Sequence, residues 1–326
     1  MEQRIVHRLP IKHGLNPSRV RVDHEWAGRT AGELLAHLIA TQRYRAPEDD
    51  EAALAARFAT GEVIDGRGRQ LQPDSVLEEH QDVWFHRMPA PEEPVPFDID
   101  ILHQDADLIV IDKPHFLATF PRASHITETA LVRLRRALGN DELSPAHRLD
   151  RMTAGVLLFT ARREIRGAYQ ELFARREARK TYEAIAAFDP AITPGTVWQH
   201  RMEKTHGDVK ARIVDGDINA ITEVAAVTPL SLEQQALMEA AHGPQPQLAV
   251  YELHPRTGRT HQLRLHMWAA GVPILGDPVY PEFLRDAHND YSRPLRLLAR
   301  TLEFSDPLNG QLRRFSTRRA VYAGAR

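Results

Sequence analysis

In the stretch HRLDRMTAG, residues 147–155, a histidine, two arginines and an aspartate fall within five consecutive positions, and the apolar run VLLF follows the stretch at once. A carboxylate set between guanidiniums ahead of a buried strand has two chemical uses. It can be half of a structural ion pair, or it can be a reactive group kept ionised by neighbouring positive charge. Burial raises a carboxyl pKa, whereas a guanidinium close by lowers it by roughly 1–3 units. Asp150 is therefore the first candidate for chemistry. A second dense motif, HPRTGRTHQLRLHMWAAGVPILGDPVY, spans residues 254–280 and carries Arg259, His261 and Arg264.

Other chemistries find no footing. The chain has no cysteine, which removes disulfides, thiolate nucleophiles and cysteine-ligated zinc. His261 and His266 are five apart and miss the i,i+4 spacing of a helical metal-binding pair. His147 and His254 have no carboxylate at a ligand-like spacing, so no metal site is expected. There is no G-x-S-x-G elbow, no G-x-G-x-x-G and no P-loop, and GRGRQ at residues 66–70 reads as a hairpin tip.

Of the 326 residues, 42% are hydrophobic and 26% charged, as in an ordinary folded protein with room for one large and one small domain. The N-terminal stretch MEQRIVHRLPIKHG is charged and has no apolar core. No run approaches the roughly 18–20 apolar residues of a membrane span. A cytoplasmic protein without a membrane segment is expected. The net charge of −2 hides an uneven distribution. Residues 121–180 hold 13 Lys and Arg against 7 Asp and Glu, among them Arg133, Arg135, Arg136, Arg162, Arg163, Arg166, Arg175, Arg176, Arg179 and Lys180. Such a surplus fits a nucleic-acid backbone, although solvated helix faces would look the same.

The proline-rich MPAPEEPVPF, residues 88–97, divides the chain. Before it, ELLAHLIATQ and EAALAARFAT predict two helices, GEVIDGRGRQLQ a hairpin, and DVWFHR a strand. After it, DLIVIDKP, GVLLFTA, KTYEAIAAF and QLAVYELH predict buried strands. TETALVRLRRAL and EIRGAYQELFARRE predict basic amphipathic helices. In the second motif Thr260 can cap a short helix running through Ala270, with Leu263, Met267 and Ala270 facing the core and Gly271 as its stop. A strand is the rival reading there, because Gln262, Arg264 and His266 alternate with Leu263 and Leu265. The pattern predicts an α+β fold with domains at 1–87 and 98–326 joined by 88–97.

HRLDRMTAGVLLFTA resembles the signature loop of the RluA-type pseudouridine synthases, H-R-L-D-x-x-T-S-G followed by apolar residues. The resemblance continues in order over residues 99–305. DLIVIDKP is similar to the family's strand ending in Lys-Pro, KTYEAIA to its Lys-x-Tyr-x-Ala strand, TEV at 222–224 to its middle strand, and the second dense motif to its last. Three positions depart: Ala154 stands where serine is usual, His115-Phe116 replaces a small residue and glycine, and Ala299 stands where histidine is frequent. Residues 1–95 resemble an αL RNA-binding motif. Their 12 Lys and Arg against 16 Asp and Glu are a poor phosphate surface, so RNA contact and a purely structural module both stay open.

The resemblance implies a mixed, mostly antiparallel central sheet with flanking helices, and a small N-terminal α/β RNA-binding-like domain. It implies a monomeric enzyme without cofactor or metal that isomerises uridine in ribosomal or transfer RNA. By residue-to-residue match, Asp150, Tyr182 and Arg264 are catalytic, and Arg148, Lys113, Arg259 and His147 bind substrate. Asp150 would attack C1′ or take a proton from C2′, Arg264 would hold its charge, Tyr182 would pack on the base, and Arg148 would fill the space left by a flipped base. An inactive RNA-binding protein and a nucleoside hydrolase are the remaining alternatives.

Overall fold

The computed structural model describes residues 9–284 and 289–324; the first eight residues of the charged N-terminal stretch lie outside it. The chain divides into two compact units. One holds the chain up to Pro94 together with Phe120–Asp141, and the other holds Val95–Thr119 with Glu142 onward. That division departs from the boundaries predicted at 88–97, because residues 120–141 pack with the N-terminal unit. The reason is polar as well as apolar. Arg135 donates to the Gly14 carbonyl and Asn16, Arg136 donates to the His13 carbonyl, and the Glu92 carboxylate accepts from the backbone N–H groups of residues 126–128.

In the first unit β1 (Ser18–Arg21), β2 (Ile64–Asp65) and β3 (Asp82–Phe85) form a sheet in the order β1-β3-β2. Helices α1 (Ala31–Ala40) and α2 (Glu51–Ala59) begin at Thr30 and Asp50, whose side chains accept from the first-turn backbone. Leu34, Leu35, Phe58, Val63, Val83 and Phe85 make its core. The third helix, α3 (Ala130–Leu138), is capped by Thr129 and stopped by left-handed Gly139.

The second unit is built on one large sheet. Its strands are β4 (Asp100–Gln104), β5 (Leu108–Lys113), β6 (Ser144–Pro145), β7 (Ala154–Thr160), β8 (Arg179–Ala187), β9 (Val197–Glu203), β10 (Arg212–Val214), β11 (Ala220–Pro229), β12 (Leu248–Pro255), β13 (Leu297–Ser305) and β14 (Leu312–Ser316). The main path runs β10-β9-β11-β12-β8-β13-β7-β5-β4, with β14 beside β13 and β6 beside β7. Only β13 with β7 is parallel among the described pairs, so the sheet is mostly antiparallel as the pattern required. Residues of β5 and β7 are buried on both faces, which explains why these strands read as unbroken apolar runs. Helix α4 (Arg166–Ala174) lays Tyr169 and Leu172 on one face against Val110, Val156 and Leu158. Helix α5 (Leu232–His242) sets Met238 against Ile185, Leu248 and Leu298.

Strand register assembles the site. Gly155 on β7 lies opposite Ala299 on β13, Ala299 lies opposite Tyr182 on β8, and Tyr182 lies opposite Leu253 on β12. One row across the sheet thus joins the loop before β7, the tyrosine strand and the segment leaving β12. The crossing needs glycine: Gly155 has φ +109°, and an added Cβ would lie 2.2 Å from the Ala299 carbonyl oxygen.

Candidate active site

Asp150 sits in the loop leading into β7, and the Lys113–Thr119 segment clamps that loop at three points. Lys113 Nζ donates to the Arg151 carbonyl at 3.2 Å, His115 Nδ1 to the Met152 carbonyl at 2.8 Å, and Thr119 Oγ1 to the Leu149 carbonyl at 2.8 Å. The Leu149 N–H donates back to Thr119 Oγ1. The turn closes on itself through Thr153 N–H to the Asp150 carbonyl. Phe116 stands where the resemblance expects glycine, and it adopts the left-handed φ of +66° that glycine would suit. Its ring is buried against Phe97 and Tyr291, and that packing opposes the backbone strain.

The second motif folds as a helix. Helix α6 spans Gln262–Ala269, but Thr260 does not cap it. His261 takes the capping position in a left-handed conformation, φ 58°, with no side-chain cap bond. The turn before it is closed by Gln262, whose Oε1 accepts from Thr257 Oγ1 and the Arg259 N–H, and whose Nε2 donates to Ile221 O and Thr222 Oγ1. Residues Gln262–Met267 are all buried, a wider covering than the single apolar stripe expected on this helix, whereas Trp268 and Ala269 are exposed and Ala270 is only partly covered.

Buried Arg264 therefore needs partners, and it has two. Its Nε and Nη2 form a fork onto Asp277 at 2.8 and 2.6 Å, while Nη1 faces Asp150 Oδ2 at 3.6 Å. Asp277 is itself fixed by the backbone N–H groups of Val279 and Tyr280. The expected pairing of Arg264 with Asp150 is present as an ion pair, not as a hydrogen bond, because Asp277 takes the fork. His261 Nε2 lies 4.0 Å from Asp150 Oδ2, with its Nδ1 3.1 Å from the Tyr280 hydroxyl. Arg148 Nη2 lies 3.9 Å from Asp150 Oδ1.

These charges decide the state of Asp150. Burial pushes its carboxyl up, but His261, Arg264, Arg148 and Lys204 together outweigh burial and leave the pKa below the ordinary carboxylate value. Burial also lowers His261 to about 4, against the pull of Asp150. At neutral pH His261 is then uncharged, and Arg264 is the buried cation that holds Asp150 ionised. Tyr182 moves the other way: burial, then the Asp150 charge, raise its phenol well above the usual value, so it stays protonated.

Asp150, Tyr182, Arg264, Arg148, Arg259 and His147 all line one pocket of about 250 Å³, near the small end for ligand pockets. Lys113 does not. It is fully buried and donates to Pro114, Leu117 and Arg151 carbonyls. The structure makes it a clamp on the loop and not a substrate contact, because burial leaves its ammonium only backbone oxygens to bind. His147 lines the pocket and is also tied to the scaffold: Nε2 accepts from the Leu158 N–H while the ring packs on Phe173, and burial lowers its pKa to about 3. Sequence reasoning missed Asp277 and His261 as site residues. Both lie inside the second motif, and the signal was a lone acid in ILGDPVY thirteen residues beyond Arg264. The groups of His, Cys, Asp and Glu among the described residues include none able to hold a metal ion.

The chain matches the model of the RNA pseudouridylate synthase family over residues 107–269, a span holding Asp150, Tyr182 and Arg264. It is 31% identical over 228 residues to the dual-specificity RNA pseudouridine synthase RluA of Haemophilus influenzae, covering 68% of this chain and 93% of that one. It is 29% identical over 221 residues to tRNA pseudouridine synthase C of Vibrio cholerae, covering 65% and 88%. Among solved structures, human RNA pseudouridylate synthase domain containing 4 aligns with TM-score 0.50 at 26% identity over 68% of this chain and 88% of its own. The human domain containing 1 protein aligns with TM-score 0.54 at 20% identity over 70% and 86%, a likeness of fold. With a sheet that sets a charge-held aspartate beside a tyrosine and a buried arginine, the chain belongs to the RNA pseudouridylate synthase family. It is an isomerase that converts uridine in RNA to pseudouridine.

Proposed function

We propose that Asp150 is the reactive carboxylate of this isomerisation, acting on a flipped uridine of ribosomal or transfer RNA. The observation that supports it is electrostatic: among the described residues Asp150 is the one acid lining the pocket, and Arg264 stands behind it. The reaction breaks N1–C1′, joins C5 to C1′, releases the C5 proton and leaves N1 to take up one, so mass is unchanged and no group is imported. An ionised aspartate can attack C1′, in the manner of a glycosidase nucleophile, or take the C2′ proton, and the uracil leaves as a delocalised anion that stays in the pocket. Protonated Tyr182 packs on the base. Arg148, 45% exposed at the rim, enters the stack that the uridine vacates. Arg259 and His147 form walls of the nucleotide site. RNA is the partner, and a single chain carries the whole constellation. Among the described residues no helix is long and apolar enough to cross a membrane.

Names of relatives include both a dual-specificity RNA enzyme and a tRNA enzyme, which supports a structured RNA as substrate class. Asp150→Asn keeps size and removes charge. Tritium release from 5-tritiated uridine in RNA should fall by several orders of magnitude while RNA affinity changes only a few-fold, since phosphate contacts dominate binding. Substantial turnover by Asp150→Asn would overturn the assignment, and free uracil in place of an isomer would indicate a hydrolase.

A further inference from the structure

The arginines between residues 133 and 180 do not share one fate. Arg133 pairs with Glu128, and Arg135 and Arg136 bind backbone carbonyls of residues 13 and 14. Arg162 pairs with Asp107, Arg166 donates to the Glu142 carbonyl, and Arg175 pairs with Glu171. Arg176 and Lys180 differ. Both side chains line the Asp150 pocket, and neither has an ion pair or side-chain hydrogen bond among the described residues.

Arg176 is placed at a price in backbone strain. Helix α4 ends at Ala174, Arg175 is still right-handed at φ −78°, and Arg176 turns to φ +62°. Its N–H donates to Phe173 O and the Glu177 N–H to Leu172 O, the hydrogen bonding of a helix stop at which glycine is the usual occupant. An L-residue there is strained, and the arginine side chain contributes nothing to the stop itself. Lys180 stands two residues before Tyr182 on β8, on the same face of the strand. Its ammonium reaches the turn after β12, where a Cβ on Gly258 would lie 3.8 Å from Nζ. Burial lowers its pKa and the Arg176 charge lowers it further. Two cations that act on one another and have no ion-pair partner among the described residues, one of them on a strained backbone, suit an incoming anion.

We propose that Arg176 and Lys180 form a phosphodiester subsite at the mouth of the Asp150 pocket, holding the RNA backbone beside the reacting uridine. The proposal rests on the pocket being the uridine site. A phosphodiester offers oxygens to the guanidinium fork and to the ammonium at once. The substrate is thereby positioned through its backbone, without contact of these two residues to the reacting atoms.

The probe is a single-stranded RNA decamer with one uridine, bound at several salt concentrations to the full chain. Arg176→Gly and Lys180→Gln should each weaken binding about tenfold at low salt and flatten the salt slope by about one unit. Lys180→Arg should keep the slope. Arg176→Gly should melt at the same or a higher temperature, because glycine relieves the left-handed strain; a structural arginine would instead lose stability on replacement. A neutral methylphosphonate at a linkage flanking the uridine should weaken the wild type and leave the double variant unaffected. Unchanged salt slopes would overturn the subsite. So would a flanking methylphosphonate without effect while inorganic phosphate, at constant ionic strength, competes through these two residues, since the anion bound would then be free phosphate. Tritium release by the wild type from 5-tritiated ribosomal and transfer RNA reads the parent assignment separately: its absence with flattened slopes removes the reaction, and its presence with unchanged slopes removes the subsite alone.

Discussion

Two basic segments touch the Asp150 loop and use their charges in opposite ways. Along Lys113–Thr119 every charged or polar head is saturated by backbone: three carbonyls around Lys113, the Met152 carbonyl on His115, the Leu149 peptide on Thr119. All three side chains are buried. In the pocket, Arg176 and Lys180 make no ion pair or side-chain hydrogen bond among the described residues, while Arg264, forked onto Asp277, turns its remaining guanidinium nitrogen to Asp150 at 3.6 Å. Saturated charge holds a loop in place; unsaturated charge is left to act on something else. The same residue type, read from sequence, serves both ends.

The largest effect that would break this contrast concerns Lys113. Lys113→Met keeps the bulk and removes the donor from three buried carbonyls, which should lower stability by about 2–3 kcal/mol. A shifted denaturation midpoint with an unchanged RNA salt slope is the expected result. Full stability with lost RNA affinity would return Lys113 to the role of substrate contact.

That position also marks how much could be read in advance. The helices α1 to α4 and the strands β5, β7, β8 and β12 were legible in apolar periodicity, whereas the grouping of Asp150, Tyr182 and Arg264 came from the family resemblance and not from the pattern of the residues alone. Helix α5 was not anticipated, although Ser231 and Gln234 form a capping box. Strands β9 and β10 lack a clean alternation. The fork of Asp277 on Arg264 and the left-handed His261 escaped for a different reason: partner choice among several charges is a three-dimensional property, settled by which side chains burial brings together. The same holds for Arg135, expected on an exposed helix face and found buried.

A smaller effect per group sharpens the contrast by pH. His115 and His147 are lowered to about 3 and His261 to about 4, each chiefly by burial. Unfolded histidine titrates near 6.5. Between pH 6.5 and 4 the unfolded chain therefore binds more protons than the folded one, so this stability is fully present above about pH 6.5 and is lost as pH falls toward 4. Each histidine should contribute a slope of roughly 1 kcal/mol per pH unit in that window. Asp150, with its lowered pKa, adds a loss of the same sign at still lower pH. Denaturant midpoints at pH 7.5 and 5.0 check this; equal midpoints would mean that the three rings are already charged or freely solvated in the folded state.

The central claim is that Arg264, gripped by Asp277, keeps the reactive Asp150 ionised, and the pH–rate profile of the chemical step tests it most directly. Single-turnover rates for the wild type, Arg264→Lys and Arg264→Met should be compared from pH 5 to 9 on one RNA. The wild type should show no Asp150 limb in this range. In Arg264→Met an acid limb should rise into it, because burial pushes the carboxyl up once its cation is gone. Arg264→Lys should fall between the two, since an ammonium lacks the planar fork that engages Asp277. A flat profile for Arg264→Met, with the chemical step rate-limiting, would contradict the account.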